Sequence, residues 1–579
     1  MFLRRINRKK SGKDHYYWAL VESYRTEKGS RQRLVGYIGD IPRAKAKKIA
    51  QSVDPCESIQ QDFLSPDELP ELATVQPRKT RTERQREFGG VWLGTKLFST
   101  LGLDDYFRTY FQDTGEPGSW LDIIKILVIS RFYNPSSELY IAEHLYEQSA
   151  MEDFFGIPAE RIYENRLYRG LDKLLPHKDR LQQHLKDRLG KLFDLEYDLF
   201  LYDVTSTYFE GAHEGSELCQ RGYSRDSRPD CKQVCIGLVV TREGLPLGYE
   251  VFAGNRHDST TVETIVGKME TLYGKADRIW VMDRGMVSEE NLTKLRQDGR
   301  RYIIGTPKAT LKQVEQHLLE KSDWQAVHAG VEVKLCPSHE SDQETFILCK
   351  SKDRALKEQS IHDRFVTRIE KGIEKLKATC EKQKGKDITK LIERRIGRLL
   401  QENSRSAALF TIETSYDNIE KKTILSVKKH DVASHWLRLT EGHYLLRSNI
   451  TDWDAKDLWK AYIHLTDAEE AFHIHKSDLH LRPIWHQKDD RIEAHIFVCF
   501  LAFVLWKTFG LMCKRSGLGD EPRRVFNEIK KISMVDVVLT TEEGNELKIR
   551  TVARPEKPLQ ILLHRLGLKM PERLTKRIL

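Results

Sequence analysis

Two aspartates stand directly after runs of large apolar residues. Asp203 follows the run Leu199–Tyr202, and Asp283 follows the run Ile279–Met282. Each run is typical of a strand buried on both faces, and an ionised carboxylate is costly in the middle of such a strand. We therefore expect each strand to end at its aspartate, because groups at strand ends line the ligand crevice of an α/β sheet. On neighbouring strands, the two aspartates would converge.

Metal binding is the chemistry that two converging carboxylates offer. Held close together, they repel each other unless a proton or a cation separates them. Hard oxygen ligands select Mg²⁺ or Mn²⁺, and neither aspartate is flanked by His or Cys, which argues against zinc. Two such ions about 3.5–4 Å apart can activate a water or hydroxyl and stabilise the leaving oxygen in phosphodiester chemistry. The alternative for either aspartate alone is a helix or turn cap.

The elements that must position these aspartates follow a definite order. Over residues 199–305 the pattern predicts three antiparallel strands, a helix, a strand, a second helix and a last strand. With carboxylates on the first and fourth strands, this α/β order resembles the ribonuclease-H-like fold of polynucleotidyl transferases, which needs a third carboxylate on a later helix. Tyr462, Glu469 and Lys476 are spaced by seven residues, close to two helical turns, so we expect them along one helix face. Glu469 would be the third carboxylate, because the neighbouring Glu470 points about 100° away.

The rest of the chain divides into further predicted units. At 579 residues it is too long for a single core, so we expect several. The predicted units are a basic β module (1–50), a linker (51–88), a helical, DNA-binding domain (89–193), the first part of the ribonuclease-H-like core (194–305), a β-rich and helical insertion (306–450), the second part of the core with the third carboxylate (451–515) and a C-terminal region (516–579).

The positive charge of the chain is concentrated at its start. The net charge is +9, and residues 1–50 hold fourteen Lys and Arg against four Asp and Glu, so this segment carries the excess. Such a segment is typical of an arm that binds phosphate, although a solubilising tail has the same composition.

Cysteine usage and hydropathy indicate the cellular compartment in which the protein is expected. The nine cysteines show no CxxC pair, which favours reduced thiols. The basic N-terminus is not followed by an apolar segment, so we expect no secretory signal. The longest apolar run, Ile496–Trp506, is too short for a bilayer that needs about 20 residues and predicts a buried core helix. We expect a cytoplasmic, nucleoid-associated protein without a membrane segment.

Several stretches together resemble one family, the DDE transposases of bacterial insertion sequences. The resemblance is to the cut-and-paste branch, whose third motif reads Tyr-x2-Arg-x3-Glu-x6-Lys and which carries an insertion domain before the Glu. It spans roughly residues 195–505, and the N-terminal segment 16–41 is in keeping with it. The matching stretches are "LYDVTSTYFEG", "GYSRDSRPDCKQV", "GLPLGYEVFAGNRHDSTTV", "WVMDRGMVSEENL" and "YIHLTDAEEAFHIHKSDLHLRPIWHQKDDRIEAHIFVCFLAF".

The resemblance implies roles for individual residues. Asp203, Asp283 and Glu469 would be the catalytic residues and would hold two Mg²⁺ or Mn²⁺ ions. Tyr462 and Lys476 would contact DNA phosphates at the transposon end. These roles belong to the family motif, and they come to this chain only through the matching positions.

One position departs from the motif, and one loop adds weaker candidates. Leu465 stands where the motif has Arg, so one phosphate contact is missing or is made by a neighbour such as His464. Between the first two strands, Arg225, Arg228 and Lys232 are candidates for phosphate contact. A solvated loop of mixed charge is the other interpretation of that segment.

The function implied is DNA transposition by a homodimer on paired ends. The enzyme would bind the terminal inverted repeats in double-stranded DNA, hydrolyse the ends and join the 3′-hydroxyls to target DNA by transesterification. The absence of a GxxxxGK[ST] motif agrees with a reaction that needs no nucleotide cofactor. The alternatives are a catalytically silent, DNA-binding descendant and a structure-specific nuclease of the same fold.

Six histidines fall in the segment 464–495, without the regular spacing of a zinc site. We therefore expect no zinc among them. They are His464, His473, His475, His480, His486 and His495.

Overall fold

A nine-stranded mixed sheet forms the centre of this α/β protein. Helices pack on both faces of the sheet, and three smaller sheets lie elsewhere in the described chain. The computed structural model describes residues 2–10, 13–26, 29–39, 74–111, 118–211, 213–275, 277–286, 288–320, 322–337, 343–383, 385–542, 544 and 546–571.

The strands are mostly short, with a longer hairpin near the N-terminus. In chain order they are β1 (Phe2–Lys10), β2 (Lys13–Thr26), β3 (Gly29–Gly39), β4 (Arg81–Glu87), β5 (Leu199–Tyr208), β6 (Gln233–Val240), β7 (Pro246–Ala253), β8 (Ile279–Met282), β9 (Arg301–Gly305), β10 (Gln325–His328), β11 (Val331–Pro337), β12 (Thr345–Ser351), β13 (Phe410–Asp417), β14 (Lys422–Lys429), β15 (His443–Ser448), β16 (Ser533–Thr540) and β17 (Glu546–Val552).

The helices range from single turns to the 31 residues of the longest one. A π-helical segment, Ile141–Leu145, joins α4 to α5, and another, Ile474–Asp478, follows α17. In chain order the α-helices are α1 (Gly89–Thr100), α2 (Leu103–Tyr110), α3 (Trp120–Tyr133), α4 (Glu138–Tyr140), α5 (Tyr146–Gln148), α6 (Met151–Phe155), α7 (Glu164–Leu174), α8 (Lys178–Phe193), α9 (Val262–Tyr273), α10 (Glu289–Gln297), α11 (Glu315–Leu319), α12 (Lys352–Lys382), α13 (Thr389–Glu402), α14 (Ser404–Ala407), α15 (Asp431–Leu439), α16 (Ala455–Ile463), α17 (Leu465–His473), α18 (Asp489–Arg515), α19 (Pro522–Lys530) and α20 (Lys557–Arg565).

The large sheet has the strand order β10-β11-β12-β15-β9-β8-β5-β6-β7. Strands β5, β8 and β9 are parallel to one another, and the remaining pairs are antiparallel. Along the chain the central elements run β5, β6, β7, α9, β8, α10, β9. The predicted order of strands and helices over residues 199–305 is therefore confirmed.

The central strands are buried on both faces because their apolar residues alternate between two cores. On one face Leu199, Leu201 and Val281 pack with residues of α17 and α18. On the other face Phe200 and Tyr202 pack with α9 and α10. Side chains of successive strand residues point to opposite faces, so the continuous apolar run fills both layers.

The predicted insertion, residues 306–450, contributes strands to the same sheet. Strands β10, β11, β12 and β15 extend it beyond β9, through the antiparallel β9–β15 pair. Between β12 and β15 lie the charged helical pair α12 and α13, the short helix α14, the two-stranded sheet of β13 and β14, and helix α15. The sequence predicts the helical pair correctly, whereas the strand pairing depends on partners far along the chain.

Outside the large sheet, segments near the two ends of the chain form two smaller sheets. Strands β1, β2 and β3 form an antiparallel sheet with the predicted hairpin between β2 and β3. In the predicted linker, residues 51–73 lie outside the described residues, and residues 81–87 form β4. This strand pairs with β16 of the C-terminal hairpin, a contact that charged residues 81–87 do not signal by hydrophobic alternation. Helices α1 to α8 fill the predicted helical domain, residues 89–193.

Helix α18 is the main core helix. Among the described helices it is the one long and apolar enough to cross a membrane, and 78% of its most apolar window is buried inside the protein. It packs against α1, α3, α7 and β7. The prediction of a buried core helix over Ile496–Trp506 is confirmed.

Candidate active site

Asp203 lies inside strand β5 and not at its end. The expectation that the strand stops there is wrong, because residues 204–208 stay hydrogen-bonded to β6. What stops at this point is the parallel pairing of β5 with β8, whose last register pair is Tyr202 with Met282. Asp203 and Asp283 are the next residues on the two strands. They therefore stand side by side just past the end of the ladder.

Both aspartates face the same side of the sheet. Because strand side chains alternate, Asp203 points to the face of Leu201, and Asp283 to the face of Val281. This face is covered by α17, which packs across β5 and β6 and carries Glu469. The fold thus brings together the three carboxylates that the sequence singles out.

The three carboxylates line one open cleft. Its volume is about 460 Å³. The backbone N–H of Val204 donates a hydrogen bond of 2.8 Å to Asp203 Oδ1, which fixes this carboxylate in the cleft wall. The lining residues are Asp203, Val204, Thr205, Tyr223, Arg225, Asp258, Asp283, Arg284, Gly285, Met286, Glu469 and Phe472.

The electrostatics of the cleft disfavour its negative charges. Burial, and after it the neighbouring Asp283, raise the pKa of Asp203 to about 7, with Glu469 adding to the effect. Burial and Asp283 also raise the pKa of Glu469. Carboxylates that are held together without enough positive charge take up protons or cations. An all-oxygen donor set of this kind suits Mg²⁺ or Mn²⁺.

Arg225 is a cation in the cleft wall, but its charge is already shared. Its guanidinium pairs with Asp258, and its backbone N–H donates to Ser206 Oγ at 3.1 Å. Asp203 feels the remaining field of Arg225, which opposes the rise of its pKa. The prediction that Arg225 contacts phosphate stays a prediction, and its position beside the carboxylates is compatible with that role.

Tyr462 stands beside the triad on helix α16. A Cβ placed on Gly305 at the end of β9 would lie 2.6 Å from Tyr462 Oη, so the glycine makes room for the phenol. Burial, followed by the charge of Asp283, raises the pKa of Tyr462. The hydroxyl is therefore a neutral hydrogen-bond donor at the edge of the acidic cleft.

Lys476 is held by an acidic partner. Its Nζ donates to Asp226 Oδ1 at 2.7 Å, and Arg482 pairs with the same carboxylate. Burial lowers the pKa of Lys476, and Asp226 opposes that shift. Asp226 follows Arg225 in the loop between β5 and β6, so this ion pair ties the third motif to that loop.

The third motif does not lie on one regular helix. Helix α16 ends at Ile463, α17 begins at Leu465, and Lys476 falls in the π-helical segment. Leu465, at the motif's Arg position, is buried in the core, 5% exposed, so its side chain offers no phosphate contact. His464 Nδ1 lies 3.3 Å from Asp467 Oδ2.

The two other predicted loop cations are not among the residues that line the triad's cleft. Arg228 pairs with Asp230, with Nη2 3.0 Å from Oδ2, and its guanidinium lies over the Tyr208 ring. Lys232 Nζ donates to the carbonyl oxygen of His213 at 2.9 Å. Neither residue lines the cleft that contains the carboxylates.

A second cleft adjoins the first and was missed in the sequence. Its volume is about 490 Å³, and it shares Asp283 and Arg284 with the cleft of the triad. The insertion supplies three of its basic residues, which lie far from the motif in the sequence. The fourth, Arg284, directly follows Asp283 and could have been found from the motif. Its basic lining residues are Arg284, Lys308, Arg354 and Arg405.

Comparisons with known proteins identify the family of this chain. Residues 194–505 match the family model described as the transposase DDE domain, and residues 3–59 match the N-terminal domain of the IS1634 family transposase. No curated protein sequence matches the chain. Among solved structures, the piggyBac transposase synaptic complex with hairpin DNA is similar, at 8% identity and a TM-score of 0.35, over 79% of this chain and 82% of that one. The first model covers more than half of the chain, which confirms the family: the chain belongs to the DDE transposases of insertion sequences and is a DNA transposase.

Proposed function

We propose that Asp203, Asp283 and Glu469 are the catalytic carboxylates of this transposase, on a ribonuclease-H-like core. The core would be the antiparallel meander β5–β7 followed by the parallel strands β8 and β9, with β5 in the centre. The observation that carries the proposal is the register of β5 and β8. It sets Asp203 and Asp283 at one level, facing the helix that bears Glu469.

Membership of a DDE transposase family implies dependence on divalent metal ions, and the residues of the cleft fit them. All three donors are carboxylates, and two have a raised pKa, so the cleft favours cations. We assign two Mg²⁺ or Mn²⁺ ions to them. When bound, such ions activate the attacking hydroxyl and stabilise the leaving oxygen. The chain's part is to fix the carboxylates and to keep Arg225 occupied with Asp258.

The DNA strand would be held by groups around the triad. Tyr462 would donate a hydrogen bond to a phosphate at the transposon end. Lys476 would contribute a positive charge, once DNA phosphate competes with Asp226 for it. Arg225 would contact phosphate from the cleft wall. Arg228 and Lys232 lie farther out in the same loop and would add peripheral phosphate contacts.

The scissile DNA strand would continue from the triad into the neighbouring basic cleft. Lys308 and Arg354 line it beside Asp283, although both also pair with Glu358 at 2.8 and 3.0 Å. Positive side chains attract the DNA backbone irrespective of sequence. A strand that crosses the triad would thus pass from the loop of Arg225 towards the insertion.

Recognition of the element would involve the N-terminal units. The excess charge of residues 1–50 and the helical domain 89–193 would bind the terminal inverted repeats in double-stranded DNA. Cutting and joining two ends together needs two active sites, so a homodimer on paired ends follows. Such an enzyme would act in the cytoplasm, on the DNA of the nucleoid.

The reaction would consist of two phosphoryl transfers. In the first, water attacks a phosphorus atom at each end, and the bond to the 3′ oxygen breaks, which frees a 3′-hydroxyl. In the second, that hydroxyl attacks a target phosphodiester, and a target 3′ oxygen leaves. One phosphodiester replaces another in the second step, so no nucleotide cofactor is required.

A single assay separates this function from its alternatives. The protein, Mg²⁺ and a duplex with the inverted repeats that flank its gene would be incubated with target DNA. A transposase gives integration products, a structure-specific nuclease gives cuts without joining, and a catalytically silent descendant gives binding alone. We expect integration products, and their absence in the presence of cuts would favour the nuclease.

A further inference from the structure

A second group of potential metal ligands lies away from the active site. It consists of Glu138 on α4, His486 in the loop before α18, and His495 on α18. His486 Nε2 lies 3.5 Å from Glu138 Oε1, and His495 Nδ1 lies 3.9 Å from the same oxygen. One ligand atom from each residue lies within 4.8 Å of the other two. The group connects the N-terminal helical domain to the segment that follows the third motif.

The spacing of these atoms is wider than a direct hydrogen bond and slightly wider than that of ligands around a common ion. Hydrogen bonds between N–H and oxygen span 2.7–3.2 Å, so 3.5 and 3.9 Å are too long for direct bonds. Ligands bound tetrahedrally to zinc at about 2.0–2.1 Å lie roughly 3.3 Å from one another. A small inward movement of the two imidazoles would therefore complete the site.

His495 provides a second, independent observation. It is buried, 6% exposed, and among the residues that the structure describes neither of its ring nitrogens has a hydrogen-bond partner. A buried polar group without a partner is costly, and such groups in native proteins call for an explanation such as an ion. Each unpartnered ring nitrogen of the imidazole could offer its lone pair to an ion.

The charges around the group leave room for a cation. Burial by itself raises the pKa of Glu138, but the two imidazoles outweigh it and hold this pKa well below the usual range. Arg131 is the cation that opposes a metal here. Its Nη1 donates to the carbonyl oxygens of Leu479 and His480 at 3.4 and 3.1 Å, which directs its charge to the backbone.

We propose that Glu138, His486 and His495 form a structural transition-metal site, with Zn²⁺ as the best-fitting ion. Two imidazoles and a carboxylate are a common zinc ligand set, in contrast to the all-carboxylate set of the active site. The side chains are 7–9% exposed, so DNA has no access, and a water would complete the coordination. The ion would fasten residues 479–495 to α4 and thereby steady the π-helical segment that carries Lys476.

This proposal departs from the expectation that the sequence supports. The six histidines between 464 and 495 do not show the regular spacing of a zinc site. The fold selects two of them and adds Glu138 from a distant helix. A ligand set that spans two domains has no local sequence signature.

The test uses full-length protein with Asp203→Asn, which weakens metal binding at the active site. The protein is stripped with a chelator, incubated with Zn²⁺ alone, passed through a gel-filtration column and analysed for bound zinc. We expect one equivalent per chain. Adding His486→Gln or Glu138→Gln should abolish it, whereas His435→Gln, on the exposed side of α15, should leave it unchanged. No retained zinc, or equal retention in the His486→Gln protein, would overturn the site.

A second measurement needs no variant of the cluster, so misfolding cannot obscure it. Co²⁺ added to the stripped Asp203→Asn protein should give the visible absorption of a four-coordinate ion with nitrogen and oxygen ligands, saturating at one equivalent. Zn²⁺ should then displace it. A spectrum of octahedral Co²⁺ alone would show that the two imidazoles do not bind the ion, and the proposal would fail.

Discussion

Two acidic sites next to the same nine-stranded sheet differ in whether nearby cations compensate their negative charge. Glu344, just before β12, is buried and is bound by Arg447 in a bidentate pair of 3.1 and 2.7 Å and by Arg296 at 3.2 Å. Despite burial, these donors and Tyr302 lower the pKa of Glu344. For Asp203, the shared charge of Arg225 does not offset burial and Asp283, and its pKa is raised to about 7.

The difference separates a buried acid whose charge is compensated by ion pairs from buried acids whose charge is not. A carboxylate with all its partners inside the protein has no further use for a cation. A pair of carboxylates without enough positive charge nearby favours the binding of a cation. Burial alone therefore does not distinguish the two kinds of carboxylate, and the missing counter-charge is the feature that supports the proposed active site.

The largest effect that sharpens this contrast is expected at the third carboxylate. Glu469→Ala should reduce strand cleavage in Mg²⁺ by about 100-fold or more with DNA binding retained, since even changes behind metal ligands cost 10–100-fold. Glu470→Ala should keep most activity, because Glu470 is exposed and lies 3.7 Å from Lys507. Paired cleavage and binding assays check this. The reverse result would shift the triad by one residue and undo the roles of Tyr462 and Lys476.

The structural carboxylate should respond in stability and not in chemistry. Glu344→Gln removes the buried charge partner of Arg447 while its pair with Glu289 at 2.7 Å stays, and we expect a loss of about 3 kcal/mol in the free energy of unfolding. Denaturant titration measures it. Folded Glu344→Gln protein should still cleave DNA, and a selective loss of cleavage without a loss of stability would contradict the comparison.

The active-site carboxylates should respond in the opposite direction. In chelator, Asp203→Asn should raise the stability of the protein at pH 8 by about 1 kcal/mol, because it removes a charge that burial and Asp283 disfavour. The folded-state pKa is above the ordinary value, so ionisation costs stability as the pH rises through about 7. The advantage of Asp203→Asn should therefore shrink at pH 5. Thermal unfolding at both pH values tests it, and a destabilised variant at pH 8 would argue that the charge is compensated.

The smallest expected effect concerns the basic start of the chain. Deleting residues 1–50 should flatten the slope of log affinity for end DNA against log salt, because fewer counterions are released. An unchanged slope would return this segment to the role of a solubilising tail. Fluorescence anisotropy over a range of salt concentrations provides the measurement.

Local pattern predicted the core well. The order of elements over residues 199–305 follows from alternation and turn residues. The apolar runs predict Asp203 and Asp283, and the seven-residue spacing of the third motif predicts Glu469. The end of β5 could not be predicted, because residues 204–208 remain a strand only through β6. The end of a strand depends on how far its partner strand continues to pair with it, and the local sequence does not identify that partner.

Contacts between distant segments account for the remaining differences. Strand β15 extends the sheet by pairing with β9, and β4 joins the C-terminal hairpin. The partner of Lys476 is Asp226 in a loop far upstream, and the motif spacing could not reveal it. The heptad spacing in the third motif also assumed a continuous helix, and the π-helical segment breaks that assumption.

The central claim is that the uncompensated carboxylates are the metal-binding, catalytic groups of the transposase. The most direct test compares wild-type protein with Asp203→Asn in single-turnover cleavage of end DNA at saturating Mg²⁺, with binding of the same DNA measured in parallel. The account predicts that Asp203→Asn binds the DNA as wild type does and leaves it uncut. Cleavage by Asp203→Asn at the wild-type rate would contradict it.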